Sequence, residues 1–211
     1  MRPDGSGFVI LTVCSGNICR SPLAEQLLRA RLVASDRPYS ISSAGTVADE
    51  GAPMDETDAN LSRHYGGNPD GHLSRPLKAG MIAEAHLVVT ATRAHRAAVV
   101  KLLPRASRYT FTLRQLTRLL AVVGPADRAG WLDPGDLVAS VAAARGLTVP
   151  LDDEADDDIV DPYGRGLAVH ERTAAEINHD VEALVDALRD VSAPGRPPGQ
   201  PSGETTGQVD A

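Results

Sequence analysis

The fold is decided by residues 8–28, which read FVILTVCSGNICRSPLAEQLL. The apolar, β-branched run Phe8–Val13 predicts a buried strand of the kind found in parallel sheets. A short loop follows, and Pro22 begins a pattern that predicts an amphipathic helix through Leu32. Ser21 before Pro22 is typical of a helix N-cap followed by the first helical residue. The stretch therefore predicts a strand, a tight loop and a helix N-terminus.

Further strands and helices alternate along the chain. Strands are predicted at 39–44, 85–90 and 108–111, and helices at 53–65, 93–103, 113–123, 138–144 and 169–191. This alternation predicts an α/β domain over residues 1–191, built as a three-layer αβα sandwich with a central four-stranded parallel sheet. Residues 124–158 are expected to form an insertion, in which 152–158 is an acidic, solvated loop. Residues 192–211, rich in Pro, Gly and Ser, are expected to be a disordered tail.

Charge and cysteine content narrow the classes of function. The chain carries a formal net charge of −7, so the basic surface that binds nucleic acid is not expected. Cys14 and Cys19 are too few and too close to build a secreted disulfide domain, which favours a cytoplasmic location. No apolar run approaches the ~20 residues of a membrane-spanning helix. We therefore expect neither nucleic-acid nor membrane partners.

The loop after the first strand has the composition of an anion site. A helix N-terminus offers unpaired N–H groups and partial positive charge, and Gly16 and Asn17 can turn such groups inward. A thiol at Cys14 facing these groups would ionise readily and act as a nucleophile. Arg20 can make two parallel hydrogen bonds to phosphate oxygens. The pattern predicts phosphoryl transfer at the carboxyl end of the first strand.

The two cysteines also have simpler interpretations. A buried cysteine often serves only as a small apolar side chain, and the Cys-x5-Arg spacing alone arises readily by chance in an arginine-rich chain. The strand before Cys14 and the Gly, Ser and Pro around Arg20 strengthen the catalytic interpretation. Two cysteines without paired histidines do not complete a metal site, so neither a metal nor a cofactor is expected.

Residues 14–22, CSGNICRSP, resemble the phosphate loop of low-molecular-weight protein tyrosine phosphatases. The similarity covers most of residues 8–190. Its other matching segments are Ser43–Thr46, Pro53–Asp55, His72–Leu77 and Asp161–Gly164. The resemblance implies hydrolysis of protein phosphotyrosine through a cysteinyl-phosphate intermediate.

The resemblance also implies roles for individual residues. Cys14 would be the nucleophile, Arg20 would bind phosphate and stabilise the transition state, and Asp161 would be the general acid. Cys19 would form a reversible disulfide with Cys14 on oxidation, a buried structural thiol being the alternative. Asn17 would shape the loop, and Ser21 would hydrogen-bond the Cys14 thiolate. The implied phosphate- and substrate-binding residues are Ser15, Gly16, Asn17, Ile18, Cys19, Ser21 and Tyr163.

Asp161 also makes chemical sense without the resemblance. A phenolate leaving group has a pKa of about 10, so a carboxylic acid that protonates it lowers the barrier. The same carboxylate can then activate water. The alternative is a plain turn, because Asp-Pro is a frequent turn opener. His72 is expected to be structural.

Several positions depart from the family pattern. Val47 and Ala48 stand where the family often has an aromatic residue, so one wall of the phenol pocket is expected to be missing. Only Tyr163 follows the Asp-Pro pair, where many relatives have two tyrosines. Thr90-Ala91 stand where Met-Asp is frequent. These changes bear on substrate preference more than on chemistry.

Three other functions stay open. Arsenate reduction on the same fold would need an external thiol cofactor, because the version that uses three cysteines requires one more than the chain has. Phosphoarginine hydrolysis is less favoured, because relatives with that activity carry Thr where Ile18 stands. A non-catalytic phosphopeptide-binding module would not need Cys14, Arg20 and Asp161 together.

Overall fold

The computed structural model describes residues 7–124, 128, 131–148 and 151–191. Four parallel strands form one sheet in the order β2-β1-β3-β4. The strands are β1 (Phe8–Cys14), β2 (Tyr39–Gly45), β3 (Leu87–Thr90) and β4 (Thr110–Thr112). The predicted four-stranded parallel sheet is confirmed, with strand ends shifted by one or two residues.

Helices cover both faces of this sheet. They are α1 (Arg20–Leu32), α2 (Glu56–His64), α3 (Ala79–Glu84), α4 (Arg93–Leu102), α5 (Leu113–Val122), α6 (Pro134–Ala144) and α7 (Leu167–Asp190), with 3-10 turns at Pro104–Arg108 and Glu154–Asp157. The sequence pattern did not predict α3 or the 3-10 turns, because elements of 4 to 6 residues are too short to show a repeating apolar pattern.

Side chains alternate across β1 and separate two apolar cores. Ile10 faces the core that Leu23 of α1 and Val181 of α7 also fill. Leu11 faces the opposite core, with Val99 of α4. The predicted three-layer sandwich is confirmed.

Helix α1 lies in the middle of the larger layer. It is buried continuously from Arg20 to Leu28, so the prediction of an amphipathic helix was wrong. The expectation that Ser21 is the N-cap was also wrong. The helix begins at Arg20 with no side-chain cap, because the Ser21 hydroxyl bonds to Cys14 and Asn17 instead.

The described parts of residues 124–158 contain more regular structure than the composition predicts. Helix α6 starts at Pro134, earlier than expected, because Asp133 and Asp136 form a capping box around its first turn. The interpretation of 152–158 as a solvated loop was wrong at Asp157, which is buried and lies 3.0 Å from Arg118 in an ion pair. The predicted tail at 192–211 lies outside the described residues.

The carboxyl end of β1 is a switch point in the topology. β2 lies on one side of β1 and β3 on the other, so the connection from β1 to β2 and the connection from β2 to β3 run in opposite directions across the sheet. Ligands of open α/β sheets bind at such a crevice. In the described part of the chain, every helix is too short or too polar to span a bilayer.

Candidate active site

The Cys14 loop (residues 14–20) joins the end of β1 to the first turn of α1. The Cys14 thiol is buried, and its Sγ lies 3.0 Å from Ser21 Oγ. The sequence predicts a nucleophile at this point, because a strand end meets a helix N-terminus there. The structure brings the sulfur, the Ser21 hydroxyl and the N-terminal end of α1 together.

Asn17 fixes the shape of this loop. Its φ of +56° is the left-handed conformation that Asn tolerates better than most residues. Its side-chain nitrogen donates to Ser21 Oγ at 3.0 Å and to Ser43 Oγ at 2.8 Å. Its side-chain oxygen accepts from the Arg75 N–H at 3.0 Å, which sets the orientation of the amide. Asn17 occupies one acceptor position of the Ser21 hydroxyl, which leaves its other acceptor position and its proton for Cys14 Sγ at 3.0 Å and the Ala44 carbonyl at 3.5 Å.

A buried polar network continues behind Asn17. Ser43 donates to Glu25, and Arg29 forms an ion pair of 2.7 Å with the same carboxylate. His72 donates from Nε2 to the Asn17 carbonyl over 2.8 Å. Its other ring nitrogen lies 4.0 Å from Glu25. His72 therefore supports the Cys14 loop, in line with the structural role expected for it, whereas the part played by Glu25 was not predicted.

Gly45 lies directly beneath the Cys14 loop. A Cβ on Gly45 would stand 2.3 Å from the Ser15 carbonyl oxygen and 3.0 Å from the Asn17 amide nitrogen. The next two residues hold the loop from the same side, because Thr46 N–H donates to the Cys14 carbonyl and Val47 N–H to the Ser15 carbonyl. Only a residue without a side chain allows this close approach of two backbones.

Arg20 is buried at the first position of α1. Its Nη1 donates to the Ile159 carbonyl at 3.0 Å, and its Nη2 pairs with Asp161 and lies 3.4 Å from Ser15 Oγ. The third nitrogen, Nε, is buried and has no partner in the described part of the chain. A buried cationic donor without a partner is costly unless an anion completes it.

Asp161 lies beside Arg20, as the predicted site requires. Its side chain is 48% exposed, and its second oxygen accepts from the Tyr163 N–H at 3.3 Å. Ile159 holds this segment, because its N–H donates to the Ala91 carbonyl at 2.9 Å. The Tyr163 side chain is exposed at the surface.

His95 is a site residue that sequence analysis missed. This buried imidazole lies 2.8 Å from Ser15 Oγ through Nε2 and 2.8 Å from Thr92 Oγ1 through Nδ1. Burial, together with the Arg20 cation, lowers the pKa of His95 to about 4, although the nearby carboxylates of Asp161 and Asp158 oppose the shift. His95 is therefore neutral at physiological pH. A lone histidine near the start of a helix carries no signal that would have singled it out.

Cys19 points away from solvent towards a second cluster. Burial, together with a hydrogen bond to Asp58, raises the pKa of the Cys19 thiol far above its ordinary value. Asp58 also lies 3.2 Å from His170 Nδ1, and burial raises its pKa. Both cysteines are free thiols. The disulfide between Cys14 and Cys19 stays a prediction.

One group of side chains is close enough to share a metal ion. Ligand atoms of Asp55, Asp58 and His170 lie within 4.8 Å of one another. Each already has a protein partner, because Asp55 caps α2 and Asp58 bonds to His170 and to the Cys19 thiol. The arrangement is that of a satisfied buried cluster behind the loop.

Comparison with known proteins agrees with the geometry. Residues 9–123 match the family model for low molecular weight phosphotyrosine protein phosphatase. The chain is 36% identical over 106 residues to the low molecular weight protein-tyrosine-phosphatase Etp of Escherichia coli, covering 50% of this chain and 69% of Etp. It is 35% identical over 108 residues to a protein-arginine-phosphatase of Geobacillus stearothermophilus, covering 51% of this chain and 70% of that protein.

Solved structures extend the similarity beyond the family match. The crystal structure of a low molecular weight protein tyrosine phosphatase from T. tengcongensis superposes with a TM-score of 0.63 at 26% identity. It covers 86% of this chain and 99% of that one. The predicted family is thus confirmed, and the chain belongs to the low molecular weight phosphotyrosine protein phosphatases.

Proposed function

We propose that this protein hydrolyses phosphotyrosine in proteins through a cysteinyl-phosphate on Cys14. The observation that carries the proposal is the buried set formed by the Cys14 sulfur, the Ser21 hydroxyl at 3.0 Å and the Arg20 guanidinium, whose Nε has no partner in the described part of the chain. Together they form an anion cradle with a nucleophile at its base.

In the first step, the Cys14 thiolate attacks phosphorus and the bond to the tyrosine oxygen breaks. Ser21 donates to the sulfur and stabilises its negative charge. The backbone N–H groups of the Cys14 loop and the Arg20 fork hold the equatorial oxygens. Because Arg20 is paired with Asp161, substrate phosphate takes over donors that the carboxylate occupies.

Asp161 supplies the proton for the leaving phenolate. Its half-exposed side chain stands at the open side of Arg20, where a leaving group would emerge. Once it has given up the proton, the same carboxylate activates a water molecule that attacks the cysteinyl-phosphate and releases inorganic phosphate. The family match ends at Val123, so this role for Asp161 rests on geometry and on the Asp-Pro-Tyr resemblance.

The rim of the cradle favours an aromatic substrate. Ile18 lies over Gly16, with its Cγ1 3.5 Å from the place of a Gly16 Cβ. Val47, whose backbone N–H donates to the Ser15 carbonyl, is 77% exposed, and Tyr163, whose backbone N–H donates to Asp161, is exposed as well. A phenyl ring gains more from such a surface than a guanidinium or a serine side chain does.

The proposal is tested with para-nitrophenyl phosphate in reducing buffer containing a metal chelator, using wild type and Cys14→Ser. Turnover by wild type alone is expected. Three peptides of one sequence, carrying phosphotyrosine, phosphoarginine or phosphoserine, then define the substrate, and phosphotyrosine is expected to react fastest. Faster release from the phosphoarginine peptide would overturn the substrate assignment. Absence of turnover together with thiol-dependent arsenate reduction would overturn the activity.

A further inference from the structure

The contact between His95 and Ser15 joins α4 to the Cys14 loop across 80 positions of the chain. Ser15 is the residue directly after Cys14, and its hydroxyl is partly buried beside Arg20. No step of the phosphotyrosine mechanism given above uses His95. Its position against a loop residue nevertheless affects which hydrogen bonds the loop can offer.

Thr92 bears on the direction of this hydrogen bond, because it contacts the other ring nitrogen of His95. As the N-cap of α4, its hydroxyl accepts from the His95 backbone N–H at 3.3 Å. The hydroxyl proton is then free to point at His95 Nδ1, which lies 2.8 Å away. A neutral imidazole carries one N–H. If Nδ1 accepts, the proton lies on Nε2, which donates to Ser15 Oγ.

Charge and burial keep the ring neutral. His95 is almost fully buried, and the cation of Arg20 lies nearby, so protonation at neutral pH is disfavoured. A neutral ring that accepts from Thr92 at Nδ1 has its one proton on Nε2 and donates to Ser15. In a doubly protonated ring Nδ1 would donate to Thr92, which reverses the hydrogen bond between them.

The Ser15 oxygen is then occupied as an acceptor. It receives His95 Nε2–H at 2.8 Å and the weaker donor Arg20 Nη2 at 3.4 Å. A serine hydroxyl has two acceptor positions and one proton. With both acceptor positions in use, its proton is available to an oxygen of a bound anion.

We propose that Thr92 and His95 orient the Ser15 hydroxyl to donate to a phosphoryl oxygen held over Cys14, which makes Ser15 a phosphate-binding side chain and His95 a positioning residue. This inference rests on the proposed function, because it assumes that phosphate binds in the Cys14 loop. The opposite arrangement, with Ser15 donating to His95, would leave the anion without this donor.

Binding of inorganic phosphate, measured by calorimetry, tests the inference without requiring turnover. Ser15→Ala and His95→Met are each expected to weaken binding about tenfold, the loss of one hydrogen bond to a charged group. The double variant is expected to bind no more weakly than Ser15→Ala, because His95 acts only through Ser15. His95→Gln, which keeps a donor near the Nε2 position, is expected to restore most of the affinity.

The inference would be overturned if Ser15→Ala bound phosphate as tightly as wild type. It would also be overturned if the double variant lost affinity by the product of the two single losses. The matched control is His64→Met, at an exposed histidine of α2, which is expected to bind like wild type. A wild type that binds phosphate but releases none from phosphotyrosine would overturn only the proposed function. A wild type that binds no phosphate would overturn both.

The tautomer gives a second readout that needs no variant. Nitrogen-15 chemical shifts of the His95 ring at neutral pH are expected to show a protonated Nε2 and an unprotonated Nδ1. A proton on Nδ1 would reverse the direction of both hydrogen bonds and overturn the inference, even if the variants were folded and active.

Discussion

Arg20 and Asp161 form an ion pair although 141 positions of sequence separate them. The pair places the proposed phosphate-binding cation and the proposed acid in direct contact. Because Arg20 Nη2 serves both Asp161 and an incoming phosphate, the carboxylate and the substrate compete for one donor. Removing the Asp161 carboxylate should therefore slow the chemical step without weakening the binding of phosphate.

Asp161→Ala is expected to lower kcat for phenyl phosphate by about 10²–10⁴, because the leaving group loses its proton donor. The loss should be smallest for aryl phosphates whose leaving groups need no proton. Inorganic phosphate should bind at least as tightly as to wild type, since its competitor for Arg20 is gone. Asp186→Ala, at an exposed position of α7, is the control. An unchanged kcat for phenyl phosphate would refute the role of Asp161 as the acid.

Gly45→Ala is expected to disable the site while the chain still folds. The new Cβ would meet the Ser15 carbonyl oxygen at 2.3 Å, which forces the Cys14 loop to move. A displacement of about 1 Å can cost about 100-fold in rate, so kcat/KM should fall by at least that factor. Gly80→Ala is the matched control, because a Cβ there has no neighbour within 4 Å. Equal activity of the two variants would show that the loop tolerates the contact.

Val47→Trp is expected to lower KM for para-nitrophenyl phosphate by about threefold to tenfold, with little change in kcat. An aromatic side chain beside Ser15 would bury the substrate ring equally in the ground and transition states. Val33→Trp, at an exposed position just after α1, provides the comparison. If KM falls equally in both variants, the site does not lack a pocket wall at Val47.

Iodoacetamide at pH 8 is expected to alkylate Cys14 and to spare Cys19. The thiolate is the reactive form, and burial with the Asp58 hydrogen bond raises the pKa of Cys19, which keeps that thiol protonated. Mass spectrometry should find one adduct per wild-type chain and almost none on folded Cys14→Ser. Rapid labelling of Cys19 in the folded protein would contradict this assignment of its protonation state.

The free energy of unfolding at acid pH should depend on His95, because its imidazole is neutral in the folded protein. Because folding lowers the pKa of His95 from 6.5 to about 4, its contribution to stability is complete above pH 6.5 and is lost as pH falls towards 4. In that window the free energy of unfolding of wild type should fall more steeply than that of His95→Gln, by up to about 1.4 kcal/mol per pH unit. Urea unfolding at pH 7, 5.5 and 4.5 measures both slopes. Parallel slopes would mean that folding leaves the titration of His95 unchanged.

The sequence predicted those parts of the molecule that local pattern encodes. The alternation of apolar runs and helical segments predicted a four-stranded parallel sheet, and the strand–loop–helix junction predicted that Cys14 and Arg20 act together. Asp161 was found by resemblance, since no local pattern links it to a residue 141 positions away. The roles of Glu25, Gly45 and His95 were missed, because each depends on which distant segment packs against the loop.

The burial of α1 shows a second limit of structure prediction from sequence patterns. Its sequence has polar residues such as Glu25 and Gln26 that predict a solvated face. Both are buried, Glu25 because Ser43 and Arg29 satisfy it. Patterning alone treats every polar residue as exposed, and only tertiary partners reveal the exceptions.

Ile159 anchors the segment of the proposed acid just after the connection formed by residues 124–158. Its N–H is held by the Ala91 carbonyl and its own carbonyl by Arg20, two positions before Asp161. The proposed acid is thus held by two anchors that lie outside residues 124–158. Over evolutionary time, that connection can gain, lose or exchange sequence without displacing the acid, so it can acquire new recognition features under little constraint from catalysis.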